Sequence, residues 1–219
     1  MPDSHIEKSP DSTFQSANVA AISTGHAIHD TFTGFLPPLV PVFIQNMALT
    51  RAEAGLLAAL LRFPSIFQPV FGRIADRADL RWLVIAGPAV TAVLMSLLGV
   101  APGFSFLFIL LLAAGLSSAA FHAVAPVVAG RLSGKKLGRG MGFWMVGGEF
   151  GRALGPIVIV TAIRFVGLAG TPWLMVLGLA ASMALFLRLR SVPVILPGAG
   201  NGDNWRKALR VMPVSYTHL

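Results

Sequence analysis

Six stretches of this chain are apolar over the roughly 20 residues that a helix needs to cross the hydrocarbon layer of a bilayer. They run over about 19–45, 52–73, 82–101, 104–129, 142–163 and 173–189, and charge gathers between them rather than within them. The pattern predicts an all-α, polytopic membrane protein with six transmembrane helices, numbered here as spans 1 to 6.

Charged residues make up 12% of the chain, against roughly 25% in soluble domains. Spans and loops use nearly the whole length, which leaves no room for a separate soluble domain. There is no cysteine, so disulfides and thiolate metal sites are excluded. The formal net charge of +8 would suit a polyanion, but its placement points elsewhere. Arg73, Arg77 and Arg81 follow span 2; Arg131, Lys135, Lys136 and Arg139 follow span 4; Arg188, Arg190, Arg206, Lys207 and Arg210 follow span 6. The other side holds only Arg51 and Arg164. Basic residues mark the cytoplasmic loops of membrane proteins, so both termini are expected in the cytoplasm and the protein in a cell inner membrane. The partner is a lipid bilayer, not nucleic acid. Residues 1–17 are polar and lack the basic start and short apolar core of a signal peptide. They read as a disordered cytoplasmic tail before a transmembrane domain over 18–190, and 191–219 as the start of a central cytoplasmic loop.

Helix punctuation supports these boundaries. Thr50-Arg51-Ala52-Glu53 has the form of a capping box, and Thr171-Pro172 that of a cap residue followed by proline at the first helical position. Ala101-Pro102-Gly103 makes spans 3 and 4 antiparallel neighbours. Trp82, Trp144 and Trp173 fall near span ends, where indole favours the headgroup region. Pro37, Pro38 and Pro41 predict a kinked or broken outer half of span 1.

Ionisable residues within the spans are expensive in lipid, so they face a protein interior or a wet cavity. Spans 3 and 6 carry none over 82–101 and 173–187, which predicts that they are peripheral and that spans 1, 2, 4 and 5 line a cavity. His26, His29, Asp30 and Thr33 fall within about 100° of one another on a helix wheel. Asp30, Arg62, Glu149 and Arg152 sit near one level, roughly 10–17 Å deep. Glu149 and Arg152 can pair within span 5, and Asp30 with Arg62 between spans 1 and 2. Such pairs either hold helices together or use the carboxylates to carry protons. His26, His29 and His122 either pack or join that cavity, and their spacing is not that of a metal site. Gly147, Gly151 and Gly155 form a stripe along which two helices can approach closely.

Gly72-Arg73-Ile74-Ala75-Asp76-Arg77 after span 2 resembles the loop signature of major facilitator superfamily transporters, with Asp79 where the family has glycine. The resemblance implies a cytoplasmic gating role for Gly72, Asp76 and Arg77. Gly142, Gly151 and Gly155-Pro156 resemble the helix-packing antiporter motif of drug-exporting members, although Ile159 and Val160 replace its trailing glycines. His26 with Asp30, Gln68-Pro69, Phe121-His122 and Gly147-Gly148 resemble the fosmidomycin-resistance branch of drug-efflux proteins. The resemblance implies a fold of two six-span halves, of which this chain carries the first; the charge-free spans 3 and 6 suggest that this half is itself two three-helix repeats. The last residues, Pro213 to Leu219, resemble a translated sequencing adaptor, so a truncated fragment is expected over a six-span protein that works as a dimer.

The expected function is therefore secondary active transport: proton-coupled export, by antiport, of a small organic molecule or drug. Arg62 and Arg152 favour an anionic group on it. Asp30, Glu149, Arg62, Arg152, His26 and His122 are the candidates for proton coupling and the substrate cavity. Uptake of an organic anion is the alternative. An intramembrane enzyme lacks a His-Glu-x-x-His motif or a nucleophile–base pair, and a scaffold leaves the buried charges unexplained. No cofactor is expected. The partners are the substrate, protons and a second six-helix half, or a second copy.

Overall fold

The structure, a computed structural model, describes residues 13–75 and 79–192. Six helical segments are long and apolar enough to cross a membrane: Ser16–Met47, Arg51–Ala75, Arg81–Val100, Phe104–Leu132, Gly134–Val166 and Leu168–Leu189. Among the described residues there is no strand. The protein is all-α with six spans. Span 5 starts at Gly134 rather than 142, so Lys135, Lys136 and Arg139 lie on its first turns instead of in a loop.

Span 1 is broken where its prolines begin. Helix α1 (Ser16–Thr33) ends at Gly34-Phe35, and α2 (Leu36–Met47) carries Pro37 in its first turn and Pro41 inside. Span 2 is broken too. Helix α3 (Arg51–Arg62) passes into a tight 3-10 segment, Phe63–Phe67, that contains Pro64, and resumes as α4 (Gln68–Ala75). The capping box forms at the start of α3: the Glu53 amide donates to Thr50 Oγ1 at 3.2 Å and the Thr50 amide to Glu53 Oε2 at 2.8 Å. Spans 3 to 6 are α5 (Arg81–Ser96), α6 (Phe104–Leu132), α7 (Leu137–Val166) and α8 (Met175–Leu189). Thr171 does not cap a helix beginning at Pro172. It lies inside the 3-10 segment Leu168–Leu174, and its hydroxyl donates to the Ser96 carbonyl at 2.9 Å, tying span 6 to the end of span 3.

Helix α1 is the centre of the bundle and packs against α7, α5, α8 and α6. Its contact with α7 is set by glycine. A Cβ on Gly147, Gly151 or Gly155 would strike the carbonyl oxygens of Ser23, Ala27 and Thr31 in turn. Both helices repeat at four residues, so the backbones meet along a seam without side chains between them. Spans 3 and 6 are not both peripheral. The apolar window of span 3 is 50% buried, against 22% for spans 2, 5 and 6, because α5 is wedged between α6, α8 and α1. Freedom from charge marks distance from the cavity here, not exposure.

Two apolar clusters form the core. Phe32, Phe35, Leu57, Met95, Leu107 and Leu111 belong to one; Val19, Ile22, Val84, Phe121, Val124 and Leu185 belong to the other. The buried polar residues His26, His29, Asp30 and Thr91 lie between them along α1 and α5. Large apolar side chains on spans 2 and 5, including Phe67, Val70, Val146, Phe150 and Ile157, remain exposed.

Candidate functional site

The polar layer is assembled by α1, α6 and α7. His26 and Asp30 lie one turn apart on α1, with His26 Nε2 3.3 Å from Asp30 Oδ2. The His26 ring fits because Gly148 has no Cβ to occupy its place. Trp144 stacks on it at 3.7 Å between ring centroids, and His26 Nδ1 donates to the Trp144 carbonyl at 2.9 Å. Trp144 is therefore not a headgroup anchor as expected from its position. It is buried, and it sets the plane of the histidine.

His122 comes from α6, 96 residues away, with its Nε2 3.2 Å from His26 Nε2 and 3.3 Å from Asp30 Oδ1. Its Nδ1 donates back one turn to the Ser118 carbonyl at 2.9 Å. His29 stays behind this cluster, stacked on Phe121 and 3.2 Å from Ser118 Oγ. Thr33 donates to the Asp30 carbonyl at 3.0 Å.

The third partner of the Asp30 carboxylate is Arg152 of α7, whose Nη1 donates to Asp30 Oδ2 at 3.1 Å. The same guanidinium holds Glu149: Nε lies 3.3 Å from Oε2, and Nη2 pairs closely with Oε1. The expected Glu149–Arg152 pair is present, and the guanidinium also joins span 5 to span 1. The side chains differ sharply in exposure: Asp30 is 2% exposed, Arg152 50% and Glu149 64%.

Asp30 and Arg62 do not pair. Helix α3 packs on α6 and α2, and Gly115 of α6 lets the Leu60 and Leu61 carbonyls come close. That contact leaves Arg62 on the opposite wall, exposed and without an ion-pair partner among the described residues. Asp30, Arg62, His122 and Arg152 nevertheless line one cavity of 460 Å³, together with Thr33, Gln68, Ser118 and Pro156. Its lining residues come from spans 1, 2, 4 and 5, and none from spans 3 and 6. Around this partly apolar space Arg62 offers a guanidinium with no ion-pair partner among the described residues, while Arg152 is held by Asp30 and Glu149.

The two motifs behave differently. Gly151 and Gly155 sit in the seam with α1, and Pro156 faces the cavity, but Gly142 is exposed with open space around it. Gly142 therefore has no packing role among the described residues. Gly72 is also open, and Asp76 and Arg77 lie outside the described residues. Just beyond them, Arg81 Nη1 donates to the carbonyls of Arg190 at 2.6 Å and Val192 at 3.2 Å, closing the C-terminal end of α8. Asp79 holds Arg81 in place through an ion pair and accepts its amide at 3.0 Å. Partial burial pushes the Asp79 carboxyl up, but the hydrogen bonds and charge of Arg81 outweigh it and leave the group below its ordinary value.

Ser118, Trp144 and the Asp79–Arg81 clamp were not anticipated from sequence as parts of the site. Ser118 lies one turn before His122, which was a usable signal. The other two depend on contacts between distant segments.

Comparison with known proteins agrees with this architecture. The family model of the Major Facilitator Superfamily matches residues 22–214. The uncharacterised MFS-type transporter YfnC of Bacillus subtilis (strain 168) is 30% identical over 163 residues, covering 73% of this chain and 39% of that protein. The fosmidomycin resistance protein of Escherichia coli (strain K12) is 27% identical over 168 residues, covering 76% of this chain and 41% of that protein. The chain thus spans about two-fifths of the length of these relatives. A match that runs through all six spans, over a bundle built to cross a bilayer, makes this chain a multi-pass membrane protein of the major facilitator superfamily.

Proposed function

We propose that the chain forms the first six-helix half of a proton-coupled exporter of small organic anions in a cell inner membrane, with both its termini cytoplasmic. The observation that carries this reading is Arg152, shared between buried Asp30 and exposed Glu149 at the wall of a cavity. Among the described residues, the Asp30 carboxylate has three nitrogen partners, whereas Glu149 has only Arg152. If the guanidinium turns fully to Asp30 or to an anionic substrate, Glu149 loses its cation. Once a second half covers this face and excludes water, a carboxylate without a cation is favoured in its neutral form, whereas a guanidinium stays charged throughout. Occupancy of the guanidinium and protonation of the carboxylate are thus linked through one side chain, which is what proton coupling requires.

A second half, or a second copy of this chain, would cover the exposed apolar faces of spans 2 and 5 and close the cavity. Alternating access would follow from rocking of the two halves about that midplane site, with Gly72, Asp76 and Arg77 in the cytoplasmic gate. The name of the fosmidomycin resistance relative and the antiporter-like glycines of span 5 favour export over uptake. The direct test uses inside-out vesicles carrying the full-length transporter, energised with an acid interior. A labelled organic anion should accumulate against its gradient and stop when the proton gradient is collapsed. Accumulation that survives collapse would remove proton coupling, and no anion movement in either direction would remove the transport reading.

A further inference from the structure

Two imidazoles and a carboxylate meet in the polar layer with their acceptor atoms turned toward one another. His26 Nδ1 faces the Trp144 carbonyl and His122 Nδ1 the Ser118 carbonyl, each at 2.9 Å. A carbonyl oxygen only accepts, so both Nδ1 atoms carry a hydrogen, and in the neutral rings both Nε2 atoms are bare lone pairs. Those lone pairs lie 3.2 Å apart, and each is 3.3 Å from a different Asp30 oxygen, Oδ2 for His26 and Oδ1 for His122. Acceptors this close repel unless a cation lies among them. One proton bridges one pair of these atoms, whereas one metal ion satisfies all three.

We propose that His26, Asp30 and His122 form a binding site for a first-row divalent transition metal such as Zn²⁺. Metal–ligand bonds of 2.0–2.1 Å in tetrahedral geometry place neighbouring ligand atoms about 3.3–3.4 Å apart. The 3.2 Å between the two Nε2 atoms matches that edge, and each Nε2 has its own Asp30 oxygen at 3.3 Å, Oδ2 for His26 and Oδ1 for His122, so one atom from each of the three residues lies within 4.8 Å of the others. The surroundings are those of a metal site as well. A ligating imidazole usually donates its other N–H to a carbonyl or carboxylate, which fixes the ring and the tautomer, and both rings do so here. Two imidazoles and one carboxylate suit Zn²⁺, Co²⁺ or Ni²⁺ rather than Mg²⁺ or Ca²⁺, which take oxygen ligands. Asp30 and His122 border the cavity, so a water or a substrate group can fill the fourth position. Arg152, 3.1 Å from Asp30 Oδ2, competes for the same carboxylate, which ties metal affinity to the position of that guanidinium.

This inference stands apart from transport, because its test needs only the purified full chain in detergent. The tag is removed, and His5→Ala and His218→Ala leave three histidines. Zn²⁺ is titrated against a chromogenic chelator, and Co²⁺ is followed by its visible bands. One equivalent should bind with the intense bands of a four- or five-coordinate Co²⁺ site, while Mg²⁺ should not compete. His26→Gln and His122→Gln should each weaken binding by at least the roughly 10–100-fold that loss of an outer-shell partner costs. Arg152→Gln should tighten it about tenfold, since a neighbouring positive charge is gone. Failure of the background protein itself to bind Zn²⁺ would overturn the proposal and leave the pair to a proton, whatever the variants do. Undiminished binding in a folded His26→Gln/His122→Gln double variant would overturn it equally.

Discussion

The Arg152 guanidinium meets Asp30 at 3.1 Å across a separation of 122 residues, and through it the fifth span is bound to the first at the level of the cavity. The same guanidinium holds Glu149 on its own helix. One cation thus serves one carboxylate that is fully buried and one that is mostly exposed.

Neutralising either carboxylate should separate coupling from binding. Glu149→Gln and Asp30→Asn, made in a full-length transporter, should abolish uphill anion accumulation in vesicles while downhill exchange remains measurable. If both variants still concentrate substrate, neither carboxylate carries the proton: either coupling resides in the second half, or the two serve only the contacts they make here.

The seam between α1 and α7 gives a packing prediction. Gly151→Val places a branched side chain on the Ala27 carbonyl and should cost about 1–3 kcal/mol or more by overpacking. Gly142→Ala enters open space and should be neutral or stabilise by up to about 1 kcal/mol, since alanine is the better helix former. Thermal melts in detergent distinguish the two. Equal losses at both positions would mean that the motif acts through something other than this contact.

Topology is tested with reporter fusions. Fusions after Arg139 and after Arg190 should report the cytoplasm, and a fusion at Gly103 the opposite side. An external signal at Arg139 would contradict the orientation, because Arg131, Lys135, Lys136 and Arg139 crowd that end of spans 4 and 5.

The clamp on the end of α8 should respond to acid. Asp79 sits below its ordinary value of 3.8 in the folded protein. A carboxyl lowered by folding stabilises above its unfolded value, and the contribution is lost as the pH falls through the folded one. The chain has no cysteine, so a spin label at Val192→Cys reports this clamp alone. Its mobility should rise below the ordinary carboxyl value, and Asp79→Asn should make it mobile at every pH. A label insensitive to both changes would show that Arg81 holds the carbonyls without Asp79.

Much of this architecture is local and was legible in the chain. Span length follows from bilayer thickness, the Thr50 capping box from four consecutive residues, and the break in span 1 from prolines that remove helical hydrogen bonds. The identity of the cavity-lining spans follows from the cost of charge in lipid. Even the Glu149–Arg152 pair is one turn of helix. What periodicity supplies is the angle between side chains on one helix, not the rotation of that helix against its neighbours. That rotation is set by the glycine seam, by Gly115 beneath the end of α3, and by α5 wedged among three helices. For this reason tertiary structure alone decided that Asp30 takes Arg152 rather than Arg62 and that Trp144 lies under His26 rather than at the headgroups. It also brought His122 to face His26, because helices joined by close backbone contact carry their polar atoms to distances that no spacing along the chain encodes.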